Sequence, residues 1–311
     1  MDAAAMLEQV REEGLLAFGR PLVAMLSGGR DSVCLLDLSV RMLGAEDVTA
    51  THVNYGLRDD SDADEAHCAE LCERLGVALE VERPRRPEGP GNLQSWARDT
   101  RYAAAARIAL GRDALIATGH TADDQVETIL YRLASSPSRR ALLGMKRRDG
   151  SLVRPLLDFS REQTTAYCEE RGLAWRDDPT NAGESYARNR VRHRLGPALA
   201  EIHPAAARNV LRTAELLRDE AEVLDSLVDA ELSANGSERG TIELSRLAEL
   251  PRALRRLVVQ RLADRAAGRP VPGAANHADE VAALRRTGKA MLDLGGGVRA
   301  VVESGVLHAE R

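Results

Sequence analysis

The first half of the chain alternates short apolar runs with segments of helical periodicity, and no other feature constrains the fold as strongly. Apolar runs predict strands at 22–26, 48–53, 78–82, 115–118 and 152–156. Helical periodicity predicts helices between them at 31–43, 62–75, 93–110 and 123–134. Strands that alternate with helices form a parallel sheet covered on both faces. We therefore predict an α/β fold with a doubly wound parallel sheet.

A chain of 311 residues has room for a second domain. A helical stretch runs from about 204 to 234 and ends at a polar turn. A strand near 241–244, helices at 252–267 and 277–287, and a hairpin around Gly295-Gly296-Gly297 are predicted after it. We expect one domain over 1–203. A smaller, mainly helical C-terminal domain, with the long helix that leads into it, is expected over 204–311.

Composition is that of an ordinary globular protein, with 44% hydrophobic and 29% charged residues. No apolar run approaches the roughly 18 residues that span a bilayer. The first fifteen residues have the pattern of an acidic amphipathic helix and lack a basic, then apolar, signal peptide. These features predict a cytoplasmic protein with no membrane partner.

The four cysteines fall inside predicted helices and form no C-x-x-C pair. Cys68 and Cys72 share a helix face, but no second pair lies nearby to complete a zinc or iron–sulfur site. We expect these two, together with Cys34 and Cys168, to be small core or half-buried residues.

Positive charge is almost entirely arginine, although the net charge is −5. Lysine occurs only at Lys146 and Lys289, and arginine is the better bidentate ligand for phosphate. The arginines cluster at 139–140, 147–148, 188–194 and 252–265. This distribution is compatible with a partner the size of a tRNA and equally with solvated, salt-bridged faces.

A glycine-containing turn, Ser27-Gly28-Gly29-Arg30-Asp31-Ser32, links the first predicted strand to the next helix. Two glycines let the backbone approach a ligand closely, and a helix N-terminus attracts an anion. The turn is not a Walker A loop, because no Lys-Ser/Thr pair closes it. Serine hydroxyls and the Asp31 carboxylate suit a nucleotide phosphate and a magnesium ion. The alternative is an ordinary turn in which Asp31 or Ser32 caps the helix.

Polar residues also follow the second and fourth predicted strands. His52, Asn54 and Arg58 are placed to contact a base or a phosphate, although a solvated loop has the same pattern. Gly119-His120 ends the fourth strand, and Asp124 and Glu127 share one face of the following helix. Two such carboxylates suit a metal site, a general base or a simple cap. Because ligands bind beyond the carboxyl ends of parallel strands, these residues predict one common site.

Two arginine sets complete the pattern. Arg98 and Arg101 repeat at helical spacing, and Arg188 and Arg192 lie four apart on one face, which suits a phosphate clamp. A salt-bridged surface is the alternative for either set.

Together these motifs resemble the tRNA(Ile)-lysidine synthase family, which belongs to the PP-loop ATP pyrophosphatases. The likeness rests on SGGxDS, HVNxGLR, GHxxDDQxET and the D-x-x-N…RNxxR region, from Pro21 to about Leu199. It implies that ATP adenylates the wobble cytidine of an isoleucine tRNA with a CAU anticodon, and that free L-lysine then displaces AMP. Departures from the family pattern are Tyr55 and Thr121 in place of histidines, and the segment 135–140 in place of a glycine-rich loop.

The resemblance also implies roles for individual residues. ATP is held by Ser27, Gly28, Gly29, Arg30, Asp31, Ser32, His52, Asn54 and His120. Asp31 and Asp124 hold Mg²⁺, while Asp124 and Glu127 receive the lysine amine and take its proton. Arg101 and Arg188 steady the adenylate or the tRNA. The expected catalytic residues are therefore Asp31, Arg101, Asp124, Glu127 and Arg188.

Partners follow in the same way: ATP, L-lysine, the isoleucine tRNA and, in a homodimer, a second copy. Rejection of methionine tRNA, which has the same anticodon, is assigned to the C-terminal domain, with Arg255 and Arg256 as tRNA contacts. Two other readings stay open. One is a PP-loop enzyme of the 2-thiocytidine type, which commonly needs paired cysteines. The other is a nucleotide-binding regulator that has lost catalysis.

Overall fold

The computed structural model describes residues 2–16, 19–57, 59–85, 93–136, 139–176, 187–233 and 240–311. The chain divides into two units, 1–214 and 215–311. This division falls inside the long helix, a little beyond the boundary at 203 that the sequence predicts. Each unit is described by itself below.

A six-stranded sheet forms the centre of the first unit. Its strands are β1 (Leu22–Met25), β2 (Val48–Val53), β3 (Ala78–Glu82), β4 (Leu115–Ala117), β5 (Arg148–Asp149) and β6 (Leu152–Val153). The order is β3-β2-β1-β4-β6-β5, with every neighbouring pair parallel except β5 and β6. The chain moves outward from β1 to β3 and then returns to place β4 on the other side of β1. Such a reversal of strand order opens a crevice at the carboxyl ends of the two central strands.

Helices cover both faces of this sheet, so the predicted doubly wound α/β fold is confirmed. The helices of the first unit are α1 (Ala3–Glu12), α2 (Arg30–Leu43), α3 (Ser61–Leu75), α4 (Leu93–Leu110), α5 (Ala122–Ser135), α6 (Arg161–Glu170), α7 (Ala187–Arg190) and α8 (Gly196–Ile202), and α9 (Ala206–Ser233) spans the division between the units. A 3-10 turn occupies 139–143, and a π-helical turn at 191–195 joins α7 to α8.

Strand β1 shows why both faces of the sheet are buried. Its alternate residues Leu22 and Ala24 belong to the large core beneath α1, α2 and α6, and Val23 and Met25 belong to a second cluster beneath α4. Successive side chains of a strand point to opposite faces, so a central strand covered on both sides has to be apolar throughout. This burial explains the uninterrupted apolar run at the first strand.

The predicted fifth strand is shorter than expected. β6 covers only 152–153, because Pro155 has no N–H to donate to a neighbouring strand. The hairpin partner β5 was not predicted. Gly150, with a positive φ of 61°, and Ser151 form the two-residue turn between the paired residues Asp149 and Leu152, and Gly-Ser is a known hairpin signal.

The second unit contains an antiparallel sheet and short helices. Its elements are β7 (Ile242–Glu243), α10 (Leu244–Glu249), α11 (Arg252–Ala267), α12 (Ala278–Ala282), β8 (Lys289–Gly295), β9 (Val298–Glu303) and β10 (Val306–Glu310). The strand order is β7-β10-β9-β8. The hairpin predicted at the three glycines is confirmed as β8 and β9. The sequence reading missed β10, and the helix predicted at 277–287 is only α12, preceded by a 3-10 turn.

Within the part of the chain that is described, no helix combines the length and the apolar character needed to cross a membrane.

Candidate functional site

A cavity of about 710 Å³ lies in the first unit, at the carboxyl ends of β1 and β4. This is the point where the strand order reverses, as expected for a ligand site on such a sheet. The residues around it come from the ends of both strands and from the helices that follow. They are Met25, Ser27, Gly29, Arg30, Asp31, Ser32, Asp64, Gln94, Arg101, Tyr102, Thr118, Gly119, His120, Asp124, Arg161, Arg176, Arg188, Asn189 and Arg192.

The turn after β1 is held together by its own serines. The Ser32 hydroxyl donates to the Gly29 carbonyl at 2.7 Å and accepts from the Ser27 N–H at 3.1 Å. The two hydroxyl oxygens are also 3.1 Å apart. These bonds fix the turn before any ligand arrives, so its conformation is preorganised.

The backbone of the turn requires glycine at position 28, and the absence of a side chain at Gly29 leaves open space beside the turn. Gly28 has a φ of +82°, a conformation that side chains disfavour, and a Cβ there would lie 3.3 Å from the Cys68 sulfur. Gly29 is the N-cap of α2, and a Cβ there would meet no protein atom closer than 3.6 Å. Asp31 and Ser32 therefore lie inside the first turn of α2, and the alternative in which one of them caps the helix is wrong. The open space at Gly29 leaves the N-terminus of α2 accessible from the cavity.

Gly119 brings the end of β4 against the start of α2. A Cβ at Gly119 would lie 2.8 Å from the Asp31 carbonyl oxygen and 3.1 Å from the Ser32 backbone nitrogen. Backbone atoms cannot rotate away as a side chain can, so only glycine fits here. The contact sets Asp31 beside the fourth strand.

Asp31 faces the cavity and is also bonded to the protein. Its carboxylate accepts from the Thr164 hydroxyl at 2.6 Å and from the Arg30 guanidinium at 3.0 Å. Arg30, predicted to bind nucleotide, therefore lies at the cavity wall with Asp31 as its partner. The same Arg30 nitrogen is 3.1 Å from the Thr164 hydroxyl.

Asp124 caps α5 with one oxygen and meets arginine with the other. Its Oδ2 accepts from the Thr121 N–H at 2.9 Å, as in a capping box, and its Oδ1 accepts from Arg161 at 3.0 Å. Burial by itself raises the pKa of Asp124, but Arg161 and Arg188 outweigh it, so the pKa is lowered overall. Asp124 is thus an anion at the cavity wall and a helix cap at once.

Glu127 lies one turn further along α5, buried beneath three arginines. Arg192 donates to both of its oxygens, at 2.6 and 3.3 Å, Arg161 donates at 2.9 Å and Arg188 at 3.3 Å. The side chain is only 6% exposed and is not among the residues that line the cavity. Through these contacts the Glu127 carboxylate holds the three guanidiniums together.

His120 forms part of the wall after β4. Its Nδ1 is 2.7 Å from the Thr118 hydroxyl. Burial is the main cause that lowers the pKa of His120 to about 3; Arg188, Arg154 and Arg98 lower it further, against the opposing effect of Asp124. At neutral pH the ring is therefore uncharged.

Arg101 projects from α4 into the cavity without a hydrogen bond or ion pair to any described residue. Tyr55 holds that helix, because its hydroxyl donates to the Ala97 carbonyl at 2.6 Å and its ring meets the edge of Trp96 at 5.6 Å between centroids. Burial raises the pKa of Tyr55, which keeps the hydroxyl protonated as a donor. A cationic side chain that is not neutralised by the protein is suited to an anionic ligand.

Three predicted nucleotide contacts, Gly28, His52 and Asn54, are not among the residues that line the cavity. His52 is buried and its Nδ1–H donates to the Leu26 carbonyl at 3.0 Å. Asn54 donates to Asp62 and Glu65, both at 2.9 Å. The structure uses both side chains to tie the ends of β1 and β2 to neighbouring elements. Arg58 and the D-x-x-N part of the last motif, at 178–181, lie outside the described residues.

Sequence reasoning missed two arginines of the wall. Arg161 begins α6 and joins Asp124 to Glu127; the Ser160…Gln163 capping box marks this helix start but not the function of the arginine. Arg176 donates its backbone N–H to the Gly28 carbonyl at 3.0 Å and its side chain to Asp64 at 2.6 Å. No sequence signal links a residue so distant along the chain to the glycine turn.

The donor set at the cavity fits a magnesium ion that is bound together with phosphates. Mg²⁺ prefers oxygen ligands and is commonly held by one or two carboxylates, with substrate phosphates and water completing its shell. Asp31 and Asp124 supply two carboxylates to the same cavity. In the described part of the chain no group of three His, Cys, Asp or Glu residues is arranged to hold a metal.

None of the four cysteines lines the cavity, and all four are buried and unpaired by disulfides. Burial raises the pKa of Cys68 to about 12 and that of Cys72 to about 11. Both thiols are therefore protonated and poorly nucleophilic at neutral pH. The expectation of small core residues is confirmed.

In the second unit, Arg255 serves the fold. Its guanidinium donates to the Ala248 carbonyl at 2.8 Å and the Leu250 carbonyl at 3.2 Å, at the end of α10, and to Asp279 at 2.9 Å. A substitution of Arg255 would remove the hydrogen bonds to the end of α10 as well as a positive charge. Arg256 is exposed and is left as the predicted tRNA contact.

Comparison with known proteins places this site in context. The family described as the PP-loop domain matches residues 3–199. The tRNA(Ile)-lysidine synthase of Pseudomonas fluorescens is 39% identical over 214 residues, which are 67% of this chain and 48% of that protein. The synthase of Thermus thermophilus is 39% identical over 280 residues, 87% of this chain and 53% of that protein. The chain thus spans about half the length of the curated relatives it matches.

Among solved structures, a U34-tRNA thiolase from Methanococcus maripaludis aligns with a TM-score of 0.58 at 18% identity. The alignment covers 69% of this chain and 78% of the thiolase. At that identity the likeness is one of fold.

Proposed function

The chain belongs to the PP-loop domain family, and from that premise we propose that it uses ATP to join L-lysine to carbon 2 of the wobble cytidine in the isoleucine tRNA with a CAU anticodon. The observation that carries the proposal is the cavity at the reversal of strand order. There the glycine turn, two carboxylates and a set of arginines face the same space. Similarity to lysidine synthases over most of the chain supports the substrates.

The first step is adenylation of the cytidine. The carbonyl oxygen at carbon 2 attacks the α-phosphorus of ATP, and the bond to the β-phosphate breaks to release pyrophosphate. Ser27, Gly29 and Ser32 face the phosphates at the N-terminus of α2, whose backbone N–H groups favour an anion. Arg101 lines the same cavity and can pair with the negative charge that the leaving pyrophosphate acquires.

Asp31 and Asp124 hold Mg²⁺ in this proposal. Bound there, the ion supplies charge neutralisation to the departing pyrophosphate. Thr164 and Arg30 orient the Asp31 carboxylate, and Thr121 and Arg161 orient that of Asp124. These contacts hold both carboxylates toward the cavity before ATP binds.

In the second step the ε-amine of lysine attacks carbon 2, and the carbon–oxygen bond to the adenylate breaks to release AMP. The amine attacks only when it is neutral, so a base has to take a proton. Of the two predicted carboxylates, Asp124 lines the cavity and Glu127 does not, so Asp124 is the candidate for this base. Glu127 is occupied by three guanidiniums, so its contacts support a positioning role, and its role as a lysine ligand stays a prediction.

The two other readings lack comparable support. A thiolase of the paired-cysteine type would need accessible thiols, whereas the four cysteines here are buried and do not line the cavity. A regulator without catalysis would not need two oriented carboxylates beside a nucleotide turn. We further propose a cytoplasmic site of action, where ATP and tRNA occur together. The homodimer also stays a prediction, which sedimentation equilibrium would test.

Incorporation of radiolabelled lysine into unmodified isoleucine tRNA, with ATP and Mg²⁺, tests the proposal. Lysine-dependent labelling is expected with the unchanged chain. Asp31→Asn should lower the rate at least about a hundredfold, because a carboxylate that holds the metal is worth several kcal/mol to the transition state.

Asp113→Asn is the matched control. Asp113 is exposed on the surface, so this substitution removes the same charge at a position that does not line the cavity. Its rate should stay within about twofold of the unchanged chain. ATP binding without any lysine in the RNA would refute the ligase and favour one of the two other readings.

A further inference from the structure

Four arginines from four different elements converge beside the cavity. They are Arg98 of α4, Arg132 of α5, Arg154 after β6 and Arg188 of α7, and we call them the arginine cluster. The proposed function uses only Arg188 among them. Resting on that function, we propose that the arginine cluster binds a backbone phosphate of the RNA next to the target cytidine.

Arg132 and Arg154 are brought together by one short backbone segment. Arg132 donates to the Gly144 carbonyl at 2.8 Å, and Arg154 donates to the Lys146 carbonyl at 2.5 Å. Gln125 fixes the residue between these two carbonyls, because its amide bonds both the N–H and the carbonyl of Met145, at 2.6 and 2.9 Å. The two guanidiniums are therefore neighbours on a rigid support.

The other members connect this support to the cavity wall. Arg154 follows Val153, whose carbonyl accepts from the Thr118 N–H at 3.1 Å, so it stands next to the end of β4. Arg188 lines the cavity itself. Arg98 lies with its guanidinium 4.6 Å from the centre of the Tyr102 ring, and that ring also lines the cavity.

Three members of the cluster, Arg98, Arg132 and Arg154, form no ion pair with a carboxylate of the described residues. Burial is the largest cause that lowers the pKa of Arg132, and the positive charges of Arg154, Arg188 and Arg98 lower it further. The carboxylates within reach of Arg188 are Asp124 and Glu127, which already serve other arginines of the cavity wall.

The buried side chain of Arg154 also has a donor that no described residue accepts from. The residue is 6% exposed, yet its Nε–H has no hydrogen-bond partner among the described residues. A buried charged donor without an acceptor is costly, so an anion beside it would be stabilising.

A phosphodiester of RNA fits this surface better than the phosphates of ATP. The glycine turn after β1 already provides for ATP, whereas Arg154 follows β6 beside the end of β4. Guanidiniums recognise phosphate in a bidentate manner, and an aromatic ring beside them suits an unstacked base. A cytidine that leaves its stack to react carries a phosphate on each side into the protein.

Binding of an anticodon stem-loop RNA, measured over a series of salt concentrations without ATP or lysine, tests this proposal. Arg98 is the residue to change, because its side chain is exposed. Arg98→Gln should weaken RNA binding about tenfold and reduce the slope of log K against log salt by about 0.7 to 0.9. Arg98→Lys should recover most of the slope, and ATP affinity should stay within about twofold.

Arg107→Gln is the matched control, since Arg107 lies on the same helix and pairs with Glu82 at the surface. It should change neither affinity. A loss of ATP affinity with unchanged RNA binding would assign the cluster to the nucleotide and overturn the proposal. Unchanged binding of both ligands in Arg98→Gln would also overturn it. Because this assay needs no catalysis, RNA binding that depends on Arg98 in a chain that never incorporates lysine would refute the ligase alone.

Discussion

Single side chains at the cavity hold the fold with one atom and face the ligand site with another. Asp124 closes the capping box of α5 through Oδ2 and meets Arg161 through Oδ1. Ser32 fixes the glycine turn while it lines the cavity. Because each of these atoms is already bonded, the site is arranged before a substrate binds. A substitution that removes such a side chain therefore affects both stability and binding.

Acid sensitivity follows from His120. Its pKa is about 3 in the folded protein and 6.5 ordinarily, so between these values the unfolded chain binds one more proton than the native chain. Stability should therefore fall as the pH decreases through this window, with His120 contributing up to about 1.4 kcal/mol per pH unit. In His120→Gln that contribution should be absent, as measured by urea unfolding between pH 7 and pH 4.5. His203→Gln, changed at an exposed histidine, should keep the slope of the unchanged chain, and an equal slope in all three proteins would contradict the assignment.

Elements meet at the cavity through a backbone contact between β4 and α2. Gly119 lets the end of the strand touch the carbonyl of Asp31, and Gly29 begins the helix on the open side of the same turn. The lack of a side chain matters for different reasons at these two positions. Gly119 is demanded by protein packing, whereas at Gly29 the protein leaves room for a Cβ and a ligand would take the space.

Gly119→Ala should separate these two elements. The added methyl group would overlap backbone atoms, so we expect the free energy of unfolding to fall by about 1–3 kcal/mol and ATP affinity to decrease with it. Urea unfolding and titration with ATP measure the two effects. Gly111→Ala is the control, because the nearest atom to its Cβ would be at 3.6 Å, and it should leave both quantities unchanged. Wild-type stability and affinity in Gly119→Ala would show that the contact is not required.

Within the described residues, each of the two units has apolar core residues of its own. The first unit has its large core around α2 and the sheet, and the second has a core of its own that includes Leu244, Val258 and Val302. A core that is complete within one unit can unfold without exposing the other.

Leu244→Ala should therefore destabilise the second unit alone. Truncating this fully buried leucine should cost about 2–5 kcal/mol, yet ATP should still bind to the first unit at temperatures where the second has unfolded. Circular dichroism and ATP titration during a thermal scan measure both events. Leu36→Ala, in the first core, should instead remove ATP binding at its own transition. Simultaneous loss of structure and ATP binding in Leu244→Ala would mean that the two cores unfold together.

Prediction from sequence succeeded where the signal was local and failed where it was not. β2, β3, α4 and α11 match their predicted bounds, because periodicity within a segment reports which face is buried. The helical character of 277–287 was overestimated, and the hairpin of β5 and β6 was missed although Gly150-Ser151 marks its turn. Most of the predicted site residues line one cavity, whereas Gly28, His52, Asn54 and Glu127 do not.

The sequence by itself determined the alternation of strands and helices, the glycine turn after β1 and the identity of the groups at the strand ends. These depend on residues that are neighbours along the chain. Only the tertiary structure decided that Arg161 and Arg192 enclose Glu127, that Thr164 orients Asp31 and that Arg132 and Arg154 share one support. Such pairings join helices and loops far apart in sequence, and their distances depend on how those elements pack, which no local pattern encodes.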